Sequence, residues 1–203
     1  MPRKTDKRVR LIEAAKSLIH KQGFNLTTLA DIAQEADVPL GNVYYYFKTK
    51  EAIGEAVIAN RGKFLHESLQ AWDKLAEPKA RLLALIQAEI EQAESIARSG
   101  CAVGGLSQEL AKQGGPLADA AAKLVSDTLG WVEKQFRAIG CQEGSRELAI
   151  QFIALVQGSS LLTNTFKDPQ ILVNLQHAIS KWIDKVASTG SVTAPLHAVG
   201  EYA

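Results

Sequence analysis

The segment from Val38 to Lys50 carries the side chains with the most evident binding chemistry, and it predicts a short helix from about Leu40 to Phe47. At about 100° per residue, the helix has two faces. The face that can anchor it to a small core holds Val43, Tyr44 and Phe47. The opposite face presents an amide and two phenols, from Asn42, Tyr45 and Tyr46. With Gly41 beside these groups, they suit phosphate oxygens and base edges, although an aromatic core helix is the alternative.

Two amphipathic helices are predicted before this segment. Residues 8–23 carry apolar side chains at the spacing of one helical stripe, and Gly23 stands where a helix would stop. The second helix begins at Thr27 or Thr28, because either hydroxyl can accept an N–H at a helix N-cap. It ends before Pro39, which cannot continue a helix. Two helices joined by a tight link to a third with a polar outer face are typical of a helix-turn-helix.

The segment from Gly23 to Glu51 resembles the DNA-binding domain of the TetR family of bacterial transcriptional regulators. The resemblance covers about the first quarter of the chain, and it rests on Gly23-Phe24, on Thr27-Thr28-Leu29-Ala30-Asp31-Ile32-Ala33 and on the run from Ala36 to Glu51. It implies an all-α fold of about nine helices. We therefore expect residues 1–50 to form a helix-turn-helix domain, here called the head. Residues 51–187 would form a helical ligand-binding and dimerisation domain, and residues 188–203 a disordered tail.

The resemblance also implies a set of DNA contacts in the head. The helix that begins at Leu40 would enter the major groove, where Asn42 can read adenine and a tyrosine ring can meet a thymine methyl. Tyr44 would lie at the edge of the inward face, so its hydroxyl can reach a phosphate. Thr49 would cap the fourth helix, next to the Lys50 ammonium, as a phosphate clamp. The expected DNA-binding residues are Thr27, Thr28, Gly41, Asn42, Tyr44, Tyr45, Tyr46 and Lys50.

The charge distribution distinguishes the head from the rest of the chain. The whole chain has a net charge of +1, whereas residues 1–50 hold nine Lys and Arg against five Asp and Glu. A basic head suits an element that meets a polyanion. Leu40 occupies a position that is often basic in the family, so one phosphate or guanine contact is expected to be missing. A cluster of basic residues either contacts phosphates or is a solvated terminus; it comprises Arg3, Lys4, Lys7, Arg8 and Arg10.

A second motif lies between residues 100 and 110. It resembles the Gly-Cys…Gly-x-Leu-x-x-Glu-Leu segment of one TetR subset, which includes sensors of reactive electrophiles. Cys101 would lie near the start of a short helix, where the helix dipole favours a thiolate nucleophile, and a structural thiol that packs like alanine is the alternative. A pocket between bundle helices would bind a small-molecule inducer. Its expected lining residues are Phe64, Cys101, Leu106, Trp131 and Gln157.

The last two helices predict a homodimer. Residues 147–166 are apolar nearly all round, so this helix needs cover on both sides. Asp168-Pro169 then opens a final helix with a long apolar stripe. In the family the corresponding pair forms a four-helix interface with its symmetry mate, whereas packing inside one monomer is the alternative.

Composition argues against several other classes of protein. The 203 residues contain no apolar run long enough to cross a bilayer, and the N-terminus lacks the apolar stretch of a secretory signal. Cys101 and Cys141 are too few for a disulfide framework, so reduced thiols are expected. No metal-ligand spacing is present, and no cofactor is expected. An enzyme that uses Cys101 as nucleophile is the rival class, but no histidine is paired with it in the sequence.

These observations predict a homodimeric, ligand-responsive transcriptional regulator, and not an enzyme. It would act as a repressor in the bacterial cytoplasm, associated with the nucleoid when bound to double-stranded DNA and without a membrane partner. Two recognition helices about one DNA turn apart would read a palindromic operator. A small molecule, such as a reactive electrophile, would release it. A ligand-independent DNA-binding protein is a further alternative.

Overall fold

The described part of the chain consists of α-helices joined by short links. The computed structural model describes residues 4–189, and the side chains of residues 6–188. Its helices are α1 (Lys4–Gln22), α2 (Leu29–Glu35), α3 (Leu40–Tyr46), α4 (Lys50–Trp72), α5 (Pro78–Glu91), α6 (Ala93–Ser99), α7 (Ala102–Ala111), α8 (Pro116–Ile139), α9 (Ser145–Phe166) and α10 (Gln170–Thr189). The all-α prediction is confirmed. Arg3 and all but the first two residues of the expected tail lie outside the described residues, and Ser188 and Thr189 end α10.

Residues 4–189 contain ten helices, one more than the expected number of about nine, because of a break at Gln92. The sequence pattern predicts one helix from Pro78 to about Ser99. In the structure Gln92 has φ −99° and ψ 5°, and its N–H bonds to the carbonyl of Glu89, which is the tighter i−3 spacing. Neither Gly nor Pro marks this position, so the usual signals of a helix break are missing from the sequence.

The first three helices pack around a small apolar core, as the sequence predicts. α1 ends at Gly23, which adopts φ +87° and donates its N–H to the Ile19 carbonyl at 2.9 Å. Left-handed backbone of this kind favours glycine because a Cβ atom would be strained. The side chains buried in this core are Leu11, Ala15, Ile19, Phe24, Ile32, Val43 and Phe47.

The link between α2 and α3 is closed by a left-handed residue that is not glycine. Asp37 has φ +49°, its N–H bonds to the Gln34 carbonyl at 3.1 Å, and the Val38 N–H bonds to the Ala33 carbonyl at 2.9 Å. This pair of bonds is the Schellman arrangement that ends many helices. Aspartate tolerates left-handed backbone better than most residues. The link therefore sets the direction of α3 with only three residues between Ala36 and the start of the helix.

The chain divides into two compact units. Unit 1 comprises the residues up to Glu67 and residues 101–125, so it joins the head to most of α4, to α7 and to the start of α8. Its core includes Val57, Leu106, Leu110 and Leu124 besides the head residues. The domain boundary predicted at residue 50 stays a prediction. Unit 1 extends past this residue, because it includes residues of α4.

Unit 2 comprises residues 68–100 and the residues from Ser126 onward. Its core is built on aromatic contacts, with Phe136 placed 6.2 Å from Phe152 and 5.6 Å from Trp182 between ring centroids. Trp131 is buried, and its Nε1 donates to Asp73 Oδ1 at 2.9 Å. No helix in the described part of the chain is long and apolar enough to span a membrane.

Candidate nucleic-acid interface

α3 presents an aromatic and polar face to solvent and buries the opposite face. Val43 and Phe47 are buried, whereas Tyr45 is 63% exposed and Tyr44 is 47% exposed. The Tyr45 ring meets the Tyr46 ring edge-on, with centroids 5.0 Å apart. Val43 and Phe47 are thus confirmed as core residues, whereas the rings of Tyr44 and Tyr45 are exposed to solvent.

The roles expected of two of the tyrosines are exchanged in the structure. Tyr46 was assigned to the outward face, yet it is partly buried and packs against the core of unit 1. Tyr44, expected at the edge of the buried face, is the more exposed of the two. At about 100° per residue, both lie about 80° from the midpoint between Val43 and Phe47, so helical periodicity alone does not distinguish them. The asymmetry comes from the neighbouring helices.

The start of α2 also distinguishes two candidates. Thr28 is the N-cap: its hydroxyl accepts the Asp31 N–H at 3.1 Å, and the Asp31 carboxylate accepts the Thr28 N–H at 2.9 Å. Hydrogen bonds from the Thr28 hydroxyl and N–H hold the pKa of Asp31 below its usual value. Thr27 is only 1% exposed, and its hydroxyl donates to the Gly23 carbonyl at 2.7 Å. The Thr27 hydroxyl is therefore buried and already bonded, and the role of Thr27 in DNA binding stays a prediction.

The start of α4 carries the expected cap and lysine. Thr49 Oγ1 accepts the Ala52 N–H at 3.2 Å, which confirms Thr49 as the N-cap. The Lys50 ammonium donates to the Asn25 carbonyl at 2.8 Å and lies 4.7 Å from the Phe24 ring centroid. An ammonium has three donors, so Lys50 can hold the turn between α1 and α2 and still face a phosphate.

Two arginines of the basic cluster bind the protein itself. Arg10 donates to the Ala36 carbonyl, to the Asp37 carbonyl at 2.9 Å and to the Asp37 carboxylate at 3.2 Å. It therefore fastens the link between α2 and α3, and a phosphate contact of Arg10 stays a prediction. The Arg8 guanidinium lies 5.4 Å from the centroid of the Phe47 ring. This stacking holds a cation at the base of α3.

Neither the backbone conformation nor a neighbouring atom of the protein requires glycine at position 41 in α3. The φ of Gly41 is negative, and a Cβ atom added there would meet no other atom within 4 Å. Glycine in a helix is less stable than alanine, so the residue costs stability that the fold itself does not require. A close approach of another molecule to the backbone is one reason for its presence.

The five expected lining residues of a ligand pocket are divided between the two units. In unit 1, Phe64 is 71% exposed, which does not fit an enclosed pocket wall, and Leu106 is part of the core. Cys101 is half-buried and caps α7, with its sulfur accepting the Gly104 N–H at 3.4 Å. In unit 2, Trp131 is buried and Gln157 is half-buried. The role of these residues in ligand binding stays a prediction.

A half-buried arginine, Arg61, interacts electrostatically with the Cys101 thiol. Burial lowers the pKa of Arg61, while Cys101 and Glu13 act in the opposite direction. The Nε atom of this arginine is buried and has no hydrogen-bond partner within the described residues. Cys101 therefore interacts electrostatically with a positive charge, and its sulfur caps a helix N-terminus. Among the described residues, no group of three or more His, Cys, Asp or Glu is placed to hold a metal ion.

One functional contact in unit 1 was missed from the sequence. Glu109 on α7 accepts the N–H of Phe24 and the N–H of Asn25, each at 2.8 Å. Glu109 belongs to the motif between residues 100 and 110, but its position in the sequence indicates no role for it. The partners lie 84 and 85 residues away in the chain, so no local pattern could have indicated the contact.

Comparisons with known proteins agree with this geometry. Residues 11–57 match the family described as bacterial regulatory proteins, tetR family. Over 180 residues the chain is 26% identical to the HTH-type transcriptional regulator LmrA of Bacillus subtilis, covering 86% of this chain and 95% of that protein. Over 108 residues it is 31% identical to the HTH-type transcriptional repressor NemR of Escherichia coli, covering 52% and 54%. The crystal structure of regulatory protein TetR from Rhodobacter sphaeroides matches with a TM-score of 0.74 at 27% identity, over 86% of this chain and 97% of that one.

Proposed function

Because the chain belongs to the TetR family of bacterial regulatory proteins and is a ligand-responsive DNA-binding regulator of transcription, we propose that it is a homodimeric repressor of a palindromic operator. The observation that carries this proposal is the exposed face of α3. Tyr44 and Tyr45 project from a helix that Val43 and Phe47 anchor in the core. Such a helix can enter the major groove without losing its attachment to the protein.

The groups around α3 suit the DNA backbone. Two helix N-termini, at Thr28 and Thr49, lie on either side of α3 in the chain, and the positive end of a helix dipole attracts phosphate oxygens. Lys48 and Lys50 add positive charge just beyond α3. On the order of 6–10 phosphate contacts per dimer would make the affinity fall steeply as salt rises. Base reading would come from Asn42 and Tyr45.

Exposed apolar residues on α9 and α10 support the homodimer. Ile150 and Leu161 are 51% and 64% exposed, and their spacing of 11 residues places them on one face of α9. Further exposed apolar side chains of this helix pair are Leu162, Phe166 and Val173. A monomer rarely exposes so many large apolar groups on one helix pair, and a second copy of the chain would cover them. Two heads would then meet two half-sites.

The inducer would act in the helical part of the chain outside the head. Phe64, Cys101, Leu106, Trp131 and Gln157 remain the residues we assign to its binding, with Phe64 the weakest assignment because it is exposed. Electrophiles are the proposed class of inducer, because the Cys101 sulfur caps the N-terminus of α7, where the helix dipole favours a thiolate, and Arg61 interacts with it electrostatically. In such a reaction the thiolate forms an S–C bond to the β-carbon of an unsaturated carbonyl compound, and the α-carbon takes a proton from water. The sulfur then becomes a poorer acceptor for the Gly104 N–H.

The proposal assigns no catalytic turnover and no cofactor to the protein, and it places the protein at the bacterial nucleoid. Selection of bound sequences from random duplex DNA, with and without a panel of electrophiles, tests it. The expected result is a palindromic consensus that is lost when an electrophile is added. The same selection with Cys101→Ala should give the same consensus but no response to electrophiles. Failure to enrich any sequence would contradict operator binding, and turnover of an electrophile that Cys101→Ala abolishes would favour an enzyme.

A further inference from the structure

The turn between α1 and α2 is an anion-binding turn that the protein fills with its own carboxylate. Successive N–H groups of Phe24 and Asn25 point at the two oxygens of Glu109, each at 2.8 Å. Paired backbone N–H groups of this kind commonly hold phosphate or other anions. Charge-assisted hydrogen bonds are about twice as strong as neutral ones. The turn is thus held by a bond pair stronger than those of an ordinary loop.

Gly23 provides an independent sign that the carboxylate belongs there. A Cβ atom at this position would lie 3.0 Å and 3.2 Å from the two oxygens of Glu109. The residue also has φ +87°, so a side chain would be strained on both counts. Glycine at position 23, directly before the donors Phe24 and Asn25, therefore leaves room for the Glu109 carboxylate.

The same turn is connected to the groups that we assign to DNA. The Asn25 carbonyl accepts from Lys50 at 2.8 Å, and the Asn25 side chain accepts at 2.6 Å from Gln113, which lies just past the end of α7. The Thr27 N–H bonds to the Phe24 carbonyl at 3.2 Å, directly before the cap of α2. A shift of this turn would therefore move the start of α2 and the Lys50 ammonium together.

α7 carries functional groups near both of its ends. Cys101 caps its start through sulfur, and Glu109 and Gln113 grip the turn near its other end. Eight residues separate Cys101 from Glu109, which is about 12 Å along a helix. One continuous helix therefore connects the Cys101 cap to the carboxylate that binds the α1–α2 turn.

We propose that Glu109 is the positioning residue through which α7 holds the α1–α2 turn in the arrangement that binds DNA. A displacement of α7 then changes operator affinity by pulling on the backbone of Phe24 and Asn25. This role rests on the DNA-binding function proposed above, but the contact itself can be tested without DNA.

Glu109→Gln is the first test, because it keeps the size of the side chain. The amide offers one acceptor oxygen and turns an NH₂ group toward the second backbone N–H. We expect operator affinity to fall on the order of tenfold, which is a usual size for coupling between sites. Removal of a negative charge would by itself raise the affinity for DNA. The expected fall in operator affinity is therefore opposite to the change that the charge alone would produce. Glu55→Gln, an equal charge change at an exposed position of α4, is the matched control and should not weaken binding.

Amide hydrogen exchange of Phe24 and Asn25 is the second test, and it needs no operator. Exchange at both amides should quicken at least tenfold in Glu109→Gln and in Glu109→Asp, which keeps the charge but is one methylene too short. Gln113→Ala should show a smaller change in the same direction. Amides of α9 should be unaffected in all three variants, which would separate positioning from a general loss of stability.

The outcomes distinguish the positioning role from the function it serves. Unchanged exchange at Phe24 and Asn25 in folded Glu109→Gln and Glu109→Asp would overturn the proposal. So would faster exchange with operator affinity equal to the wild type. If the wild type binds no duplex DNA while exchange quickens as expected, the DNA-binding function fails and the role of Glu109 in operator affinity falls with it, but the grip on the turn stands.

Discussion

α3 and α9 both expose large side chains to solvent, yet the two surfaces differ in chemistry. α3 presents the phenols of Tyr44 and Tyr45, with Lys48 and Lys50 just after them in the chain. On α9, Ile150, Leu161 and their exposed apolar neighbours carry no polar atoms in their side chains. Phenols beside cations suit a hydrated polyanion, whereas an aliphatic stripe is best covered by another aliphatic stripe. Exposure alone therefore does not predict a partner; the polar atoms around the exposed groups do.

The largest expected effect comes from placing a charge on the aliphatic surface. Leu161→Glu should raise the dissociation constant of the dimer on the order of 100-fold or more, because a buried unpaired carboxylate costs several kcal/mol. Sedimentation at several protein concentrations would measure this, and operator binding should be lost with the dimer. Leu75→Glu is the matched control, since Leu75 is also exposed but lies outside α9 and α10. A Leu161→Glu protein that remains dimeric would exclude this surface as the interface.

The aromatic surface is tested by truncating its side chains. Tyr45→Ala should weaken operator binding by about 1–3 kcal/mol while the thermal midpoint stays the same, because the side chain is 63% exposed. Lys50→Ala should reduce the slope of log operator affinity against log salt concentration by about one for each Lys50 in the complex. It should also lower the midpoint slightly, since the bond to Asn25 is lost. Phe64→Ala removes an exposed aromatic ring outside α3 and should leave affinity intact. Wild-type affinity in Tyr45→Ala would contradict the assignment of α3.

Gly41 allows stability and binding to be separated at one position. Gly41→Ala should stabilise the fold by about 0.5–1 kcal/mol, because nothing within 4 Å opposes the new methyl group. It should weaken operator binding several-fold if the methyl group faces DNA. Gly130→Ala in α8 is the control, since that glycine is equally unhindered and should gain stability alone. Denaturant titration would measure the stability of both variants, and operator titration would measure their affinity. Equal operator affinities of Gly41→Ala and Gly130→Ala would count against a close approach of DNA at Gly41.

The smallest expected effect is a difference in pH dependence between the two units. Burial raises the pKa of Glu89 in α5, so its ionised form costs stability, and this cost grows as pH rises above about 4.5. Glu89→Gln should therefore stabilise the protein at pH 7, and the gain should vanish below pH 4.5. Asp31 has the opposite sign: its lowered pKa gives stability above about pH 3.8 that is lost as pH falls. Asp31→Asn should destabilise at pH 7, and denaturant midpoints across pH 3–8 would check both slopes.

Local sequence signals predicted the head closely. The helix from Leu40, the stop at Gly23 and the cap at Thr49 all depend on neighbouring residues, and the structure confirms them. Each signal works because a backbone group near a helix end must find a partner within a few residues. The family resemblance rested on the same short stretch.

Contacts between distant residues were not predictable in this way. Arg10 and Glu109 both bind backbone atoms far along the chain. The sequence suggests only solvent or DNA as partners of Arg10, and it assigns no partner to Glu109. The choice between Thr27 and Thr28, and between Tyr44 and Tyr46, depended on which side the neighbouring helices cover. The break at Gln92 has no Gly or Pro to announce it. The ligand-lining assignments, which required contacts between helices, remain predictions for the same reason.

The sulfur cap of α7 affects how any thiol chemistry at Cys101 should be studied. Serine is the customary substitute for a reactive cysteine, but at an N-cap a hydroxyl is a much better acceptor than a thiol. Cys101→Ser would remove the nucleophile and at the same time fasten the first turn of α7 more tightly. If Cys101→Ser does not respond to electrophiles, the missing nucleophile and the stronger cap of α7 would both explain the result, and the experiment would not distinguish them. Alanine, which can neither react nor cap, separates the two.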